Sequence, residues 1–259
     1  MIKMIFSDFD YTLLNYYSDK NYFDDYQIGI LNRLKEKGIK FCVVTGRSVF
    51  FFEQFPKLME VVDYIIGSNG AFIYDVKSKS YLHKSIIDKE EFKKLVKYAV
   101  DNRFTFLLDC LGEKYYYGES IRSYEYIKEY QLDMECECGQ FILGFDKNRR
   151  DDVANFIEYF DNIVVNNVSD FDEKSTIDIN AKEVSKGNGI SILCNHLNID
   201  KEDTICFGDG ANDISMFNSV GKSISVDNAK DIVKTQADEV ALSCDEYGVY
   251  KYIEDNILK

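Results

Sequence analysis

Histidine is nearly missing from this chain: 259 residues contain two, His83 and His196. Neither adjoins a serine or cysteine in a nucleophile motif, which argues against hydrolysis of the Ser–His or Cys–His type. Positive charge is also scarce. Thirty-one Lys and Arg stand against 45 Asp and Glu, a net charge of −14. That balance argues against nucleic acid or an anionic membrane as the main partner, and any anionic ligand must meet a local positive site or a metal. No stretch approaches the ~18 apolar residues of a membrane span, and no apolar segment follows a basic start as in a secretory leader. Low-complexity linkers and internal repeats are missing too. The seven cysteines form an odd set without framework spacing. The C-x-C of Cys136 and Cys138 has no second pair, so reduced cytosolic thiols are expected rather than a zinc site. What remains, with 46% hydrophobic and 29% charged residues, reads as a cytoplasmic globular protein, monomer or weak homodimer, long enough to bury a substantial core as one large domain or two ordinary ones.

The chain alternates in its first and last thirds. "IKMIFS", "IKFCVVTGR" and "VDYIIGSNG" are short continuous apolar runs, and "YQIGILNRLKEKG" between the first two places Ile28, Leu31 and Leu34 at helical spacing with Gly38 as a stop. The grammar returns in the helical "VSKGNGISILCNHLNI", the strand "DTICFGDG", then "DISMFNSV", the strand "KSISV" and a terminal helix "VYKYIEDNIL". Strands without polar alternation predict an α/β fold, a Rossmann-like parallel sheet covered on both faces. The middle differs. Between residues 83 and 183, "FTFLLDC", "KYYYG", "QFILGFD", "NIVVNN" and "STIDIN" read as strands among the amphipathic helices "DKEEFKKLVKYAV" and "DDVANFIEYF". The first of these helices should bury Phe92, Leu95, Val96 and Ala99, the second Val153, Phe156, Ile157 and Phe160. The prediction is an α+β module inserted into a core made of residues 1–82 and 184–259. The tyrosine-rich run "KYYYGESIRSYEYIKEY" in that module is expected to pack within a sheet rather than to stack on a sugar.

Chemistry is concentrated where core strands end. The first run stops at two aspartates, Asp8 and Asp10, separated by Phe9 and followed by Thr12. Carboxylates so close repel unless a proton or a cation lies between them. In an open parallel sheet ligands sit beyond the carboxyl ends of the strands. Those ends bring together Asp8 and Asp10, Thr45-Gly46-Arg47, Ser68-Asn69, and Asp209 and Asp213 of "GDGAND", with Lys186 opening a helix nearby. Oxygen ligands without histidine or thiolate point to Mg²⁺, and hydroxyl, ammonium and amides around a dication make a phosphate pocket.

In order and placement these four clusters resemble the haloacid dehalogenase-like hydrolase superfamily, and within it the Cof-type sugar phosphatases, which carry a large α+β cap after the third core strand. The resemblance covers the whole chain, through motifs in the core and through architecture in the cap. It implies a Mg²⁺-dependent phosphatase acting on a small phosphorylated metabolite through an aspartyl-phosphate. On that reading Asp8 is the nucleophile and Asp10 the acid and base. Thr45 holds the transferring phosphoryl and Lys186 neutralises it. The metal would be held by Asp8, Asp209 and the carbonyl of Asp10, with Asp213 in support, while Gly46, Arg47, Asn69 and Asn212 border the substrate. Two departures stand out: Tyr11 occupies a place where the family often has glycine, and Asp227-Asn228-Ala229 replaces a common G-N-A. A mutase or phosphotransferase could use the same aspartate pair. A receiver-like domain would need roughly half this length and no insertion, and a glycosyltransferase usually places its D-x-D well inside a nucleotide-binding domain.

Overall fold

A computed structural model describes residues 1–16, 23–111, 113–118, 127–132 and 134–259. The chain divides into two compact units, one made of 1–83 and 185–259, the other of 84–184. These joints fall one residue beyond those read from the sequence.

The discontinuous unit begins with β1 (Met4–Ser7), α1 (Asp25–Glu36), β2 (Lys40–Val44), α2 (Pro56–Met59), β3 (Tyr64–Gly67), β4 (Phe72–Asp75) and β5 (Ser80–Lys84). Asp24 caps α1 reciprocally with Gln27, and Gly38 takes φ 74° just beyond its end, as helix stops often require. The inserted unit contains α3 (Lys89–Asp101), β6 (Thr105–Cys110), β7 (Glu113–Tyr117), β8 (Ile127–Glu129), β9 (Cys138–Asp146), α4 (Arg150–Ile157), β10 (Ile163–Phe171) and β11 (Lys174–Ala181). The chain then completes the first unit with α5 (Lys186–Leu197), β12 (Thr204–Gly208), α6 (Ile214–Phe217), β13 (Lys222–Val226), α7 (Asp231–Lys234), β14 (Glu239–Ala241) and α8 (Gly248–Asn256).

Among the described residues the first unit is an eight-stranded sheet in the order β14-β13-β12-β1-β2-β3-β4-β5. The strands from β14 to β3 pair in parallel, and β4 turns back antiparallel on β3. This returning edge was not anticipated, because "FIYD" and "SYLHK" are only four and five residues long. The central strands are buried on both faces, which explains their unbroken apolar runs. Met4, Phe6, Cys42 and Val44 pack with Ile190 and Leu193 of α5 and Met216 of α6. The opposite face carries α1 against α8 and β2, with Ile30, Leu31 and Leu34 buried and Ile28 only half so.

Among the described residues the inserted unit is a six-stranded sheet in the order β10-β11-β9-β6-β7-β8. Phe92, Leu95, Val96 and Ala99 of α3 are buried as expected. In α4 only Val153 is fully buried; Phe156, Ile157 and Phe160 are partly buried against the same core, and Phe160 lies beyond the helix end. Tyr115 and Tyr130 are core residues of this unit. The tyrosines between 119 and 126 fall outside the described residues. All seven cysteines are free thiols, and no helix among the described residues is long and apolar enough to cross a membrane.

Candidate active site

β12, β1, β2 and β3 lie side by side, and each ends where a polar cluster begins. Ser7 is level with Phe207 and with Val43 in the parallel register, so Asp8 leaves the sheet between Gly208 and Val44. The Asp8 amide donates to the Phe207 carbonyl at 2.9 Å, continuing the ladder by one bond. Phe9 turns the other way and is fully buried, its ring 4.8 Å from Phe52 and 5.4 Å from Phe55. That aromatic anchor sits between the two aspartates and fixes the loop that carries them.

The centre of the site is an ammonium between carboxylates. Lys186 is 2% exposed, and its Nζ donates to Asp8 Oδ1 at 2.5 Å and to Asp213 Oδ1 at 2.6 Å. A lysine in the first turn of a helix opposes the helix dipole, and burial disfavours its charge. The carboxylates of Asp213 and Asp8 outweigh both and hold the ammonium charged, its pKa raised. Asp213 is fully buried and accepts from the amides of Asp209 and Gly210 through Oδ2, at 2.9 and 2.8 Å. Both of its oxygens are therefore engaged, and it ties the loop after β12 to Lys186. Gly208 makes this approach possible, because a Cβ there would lie 2.6 Å from the Asp213 Cβ. Gly187 does the same for α5: its Cβ would meet the Ser215 carbonyl oxygen at 2.1 Å.

Asp209 accepts a hydrogen bond from Thr12 Oγ1 at 2.8 Å. Thr12 is buried, and its role was invisible in sequence because its partner lies 197 residues away. Burial first, then Asp213, pushes the Asp209 carboxyl up to about 6. Asp8 is pushed well above the usual carboxylate range by burial, with Lys186 opposing and Asp213, Asp209 and Asp10 adding to the rise. Oxygens of Asp8, Asp209 and Asp213 all lie within 4.8 Å of one another. This donor set is wholly oxygen, largely buried and more negative than one lysine can neutralise, which suits a hard dication.

On the other side, Thr45 is 1% exposed, its amide bound to the Ile66 carbonyl at 2.8 Å. Its hydroxyl accepts from the Arg47 amide at 3.1 Å. Asn69 is fully buried in the left-handed region at φ 58° and accepts from Asn212 Nδ2 through Oδ1 at 3.3 Å. Gly46 sits against that amide group. Arg47, expected along the substrate, has its guanidinium on Asp10: Nε lies 2.7 Å from Oδ2, Nη2 lies 2.5 Å from Oδ1, and Cζ lies 4.0 Å from the Phe51 ring centroid. Tyr16, which carried no sequence signal, donates to Asp10 Oδ1 at 2.8 Å. Its phenol pKa is raised by burial and then by Asp10, so it remains a donor.

Both departures from the family pattern are now placed. Tyr11 takes φ 60°, a left-handed conformation that glycine adopts freely and a tyrosine only at a cost. The Tyr11 carbonyl accepts from Asn228 Nδ2 at 2.8 Å, while Asn228 Oδ1 accepts from the Cys244 amide at 2.9 Å. The Asp227 carboxylate faces Lys234 at the surface.

A parallel sheet whose strand ends gather an aspartate pair, a threonine, a buried lysine and a second acidic loop defines a phosphoryl-transfer class of protein. The chain belongs to the haloacid dehalogenase-like hydrolases, whose family pattern matches residues 5–253. It is of the Cof type, and it is a phosphatase. It is 26% identical to phosphatase YwpJ of Bacillus subtilis over 285 aligned positions, covering 96% of this chain and 97% of that one. It is 23% identical to 5-amino-6-(5-phospho-D-ribitylamino)uracil phosphatase YcsE of the same organism, covering 99% and 96% of the two chains. The fold matches that of the subclass IIB sugar phosphatase BT4131 with a TM-score of 0.83 at 23% identity, over 99% of this chain and 100% of the other.

Proposed function

We propose that this phosphatase hydrolyses phosphate monoesters of small metabolites, sugar phosphates among them, through a phosphorylated Asp8. The observation that carries the reading is the buried Asp8–Lys186–Asp213 ion cluster at the strand end next to Thr45. Buried ion clusters contribute little to stability, and strongly perturbed carboxylates in such a place favour chemistry. A carboxylate oxygen of Asp8 attacks phosphorus as the ester P–O bond breaks, and Asp10 gives its proton to the departing oxygen. Asp10 then takes a proton from water, whose oxygen attacks the phosphoryl group; the bond from phosphorus to Asp8 breaks and inorganic phosphate leaves. Lys186 and the Thr45 hydroxyl hold the phosphoryl oxygens, with Gly46, Asn69 and Asn212 alongside. Asp8, Asp209 and the Asp10 carbonyl would hold Mg²⁺, with Asp213 supporting the loop. When bound, the ion supplies charge neutralisation for the carboxylates and the phosphoryl group.

These groups serve any phosphate ester, so we assign discrimination among esters to side chains of the inserted unit. The test is phosphate release from a panel of sugar and other metabolite phosphates by protein stripped with EDTA and then resupplied with Mg²⁺. Activity should vanish on stripping and return with Mg²⁺; full activity without the ion, or recovery with zinc alone, would falsify the metal assignment. Isomerised product without phosphate release would make the chain a mutase.

A further inference from the structure

The two oxygens of Asp10 are not equivalent. Oδ1 receives three donors: Arg47 Nη2 at 2.5 Å, Arg47 Nε at 2.9 Å and Tyr16 Oη at 2.8 Å. Oδ2 meets one donor among the described residues, the Arg47 Nε at 2.7 Å. A carboxylate oxygen offers two lone pairs in its plane, so Oδ1 is saturated and a proton on Asp10 belongs on Oδ2. Both donors are braced. Tyr16 Oη also accepts from Arg47 Nη2 at 3.2 Å, and its ring lies 5.2 Å from that of Tyr11 at 54°. Arg47 rests on Phe51, whose ring is 5.9 Å from that of Phe9, the buried residue between the two aspartates.

We infer that Tyr16 is a positioning residue for the proton transfer: its hydroxyl pins Oδ1 of Asp10 and leaves Oδ2 as the oxygen that protonates the leaving group. The inference rests on Asp10 being the general acid. Without the hydroxyl, Oδ1 keeps Arg47 alone among the described residues, and the carboxyl is free to turn its proton-bearing oxygen away from the ester. The cost falls on protonation of the leaving group. An ester whose leaving group departs well without a proton should scarcely register the change, whereas an alkyl ester should.

The experiment compares kcat/KM for p-nitrophenyl phosphate with kcat/KM for whichever of glucose 6-phosphate and glycerol 3-phosphate turns over faster. This parameter covers steps only up to phosphoryl transfer to Asp8, so the later role of Asp10 as base does not enter. Tyr16→Phe keeps the ring on Tyr11 and removes the hydroxyl. It should lower the alkyl value about tenfold, as expected for a hydrogen bond to a charged group, lower the aryl value less than about twofold, and leave the unfolding midpoint unchanged. Asp10→Asn, run in parallel, should show the same bias more strongly. Equal losses on both esters by Tyr16→Phe, or no loss on either, overturn the role of Tyr16 if Asp10→Asn still discriminates. If Asp10→Asn depresses both esters equally, the general-acid reading falls and the inference about Tyr16 falls with it.

Discussion

Both units of this chain bury an apolar core, but among the described residues the buried ion cluster belongs to the discontinuous one. The discontinuous unit places Asp8, Lys186 and Asp213 in its interior, each less than a tenth exposed. The inserted unit is centred on Phe92, Phe106, Phe141 and Phe145 with Tyr115 and Tyr130, and its ion pairs, such as Lys89–Glu135, Lys128–Glu113 and Lys174–Asp146, stand at the surface. Surface pairs of that kind add little to stability. An aromatic core stabilises through area removed from water. The contrast separates two uses of an interior: the inserted unit uses its interior to hold a shape, while the other unit maintains there a charge arrangement that folding alone would not select.

The sharpest way to break this contrast is to remove one charge without changing shape. Asp8→Asn should lower kcat by several orders of magnitude; a variant keeping a tenth of the activity would mean that Asp8 is not the nucleophile. In the inserted unit the large effect should be on stability instead. Phe141→Ala removes a fully buried ring and should cost about 3–5 kcal/mol of that unit's stability, read from denaturant unfolding. A cost below about 1 kcal/mol would show that this interior is not the close-packed core described above.

Asp209 sharpens the comparison from the other side. Its carboxyl is raised from 3.8 to about 6 in the fold, so the folded state binds its proton more tightly than the unfolded chain does. The associated stability is fully present below the unfolded value and is lost as pH rises through about 6. Asp209→Asn should therefore raise the unfolding midpoint of metal-stripped protein near pH 7.5, by about 2–4 °C, and abolish any further rise on adding Mg²⁺. A lower midpoint in stripped protein would show that the cluster stabilises the fold. The smallest effect belongs to Tyr11→Gly. Release from a left-handed backbone is worth about 1 kcal/mol, offset by the lost contact with Tyr16 and by glycine's backbone entropy. Equilibrium unfolding should show a net change under about 1 kcal/mol in either direction, and the esters should show a weaker form of the Tyr16→Phe bias.

Much of this was legible without coordinates. The apolar runs ending in Asp8, Thr45, Ser68 and Asp209 announced parallel strands with polar carboxyl ends, because a strand buried on both faces cannot alternate. The α3 stripe was legible because its four buried positions repeat at helical spacing. Thr12, Tyr16 and Phe9 carried no such signal: a hydroxyl and two rings after a short strand are compatible with packing, solvent or catalysis alike. The short edge strands were missed for a related reason, since three to five residues have no measurable period. Arg47 is the instructive case. Its type and place suggested a substrate contact but gave no sign that its guanidinium pairs with Asp10.

The sequence by itself determined the α/β class, the inserted module and the identity of the acidic and basic groups at the strand ends. Local periodicity and residue chemistry are properties of the chain, and they survive without knowing who touches whom. Only the tertiary structure decided the pairings. Thr12 meets Asp209 across 197 positions, Lys186 meets Asp8 across 178, and Arg47 meets Asp10 across 37. A hydrogen bond between side chains depends on ångström-scale distance and direction, and distances of that kind are set by how strands and helices stack rather than by any segment alone. Which oxygen of Asp10 receives three donors and which receives one belongs to that second class, and no spacing in the sequence encodes it.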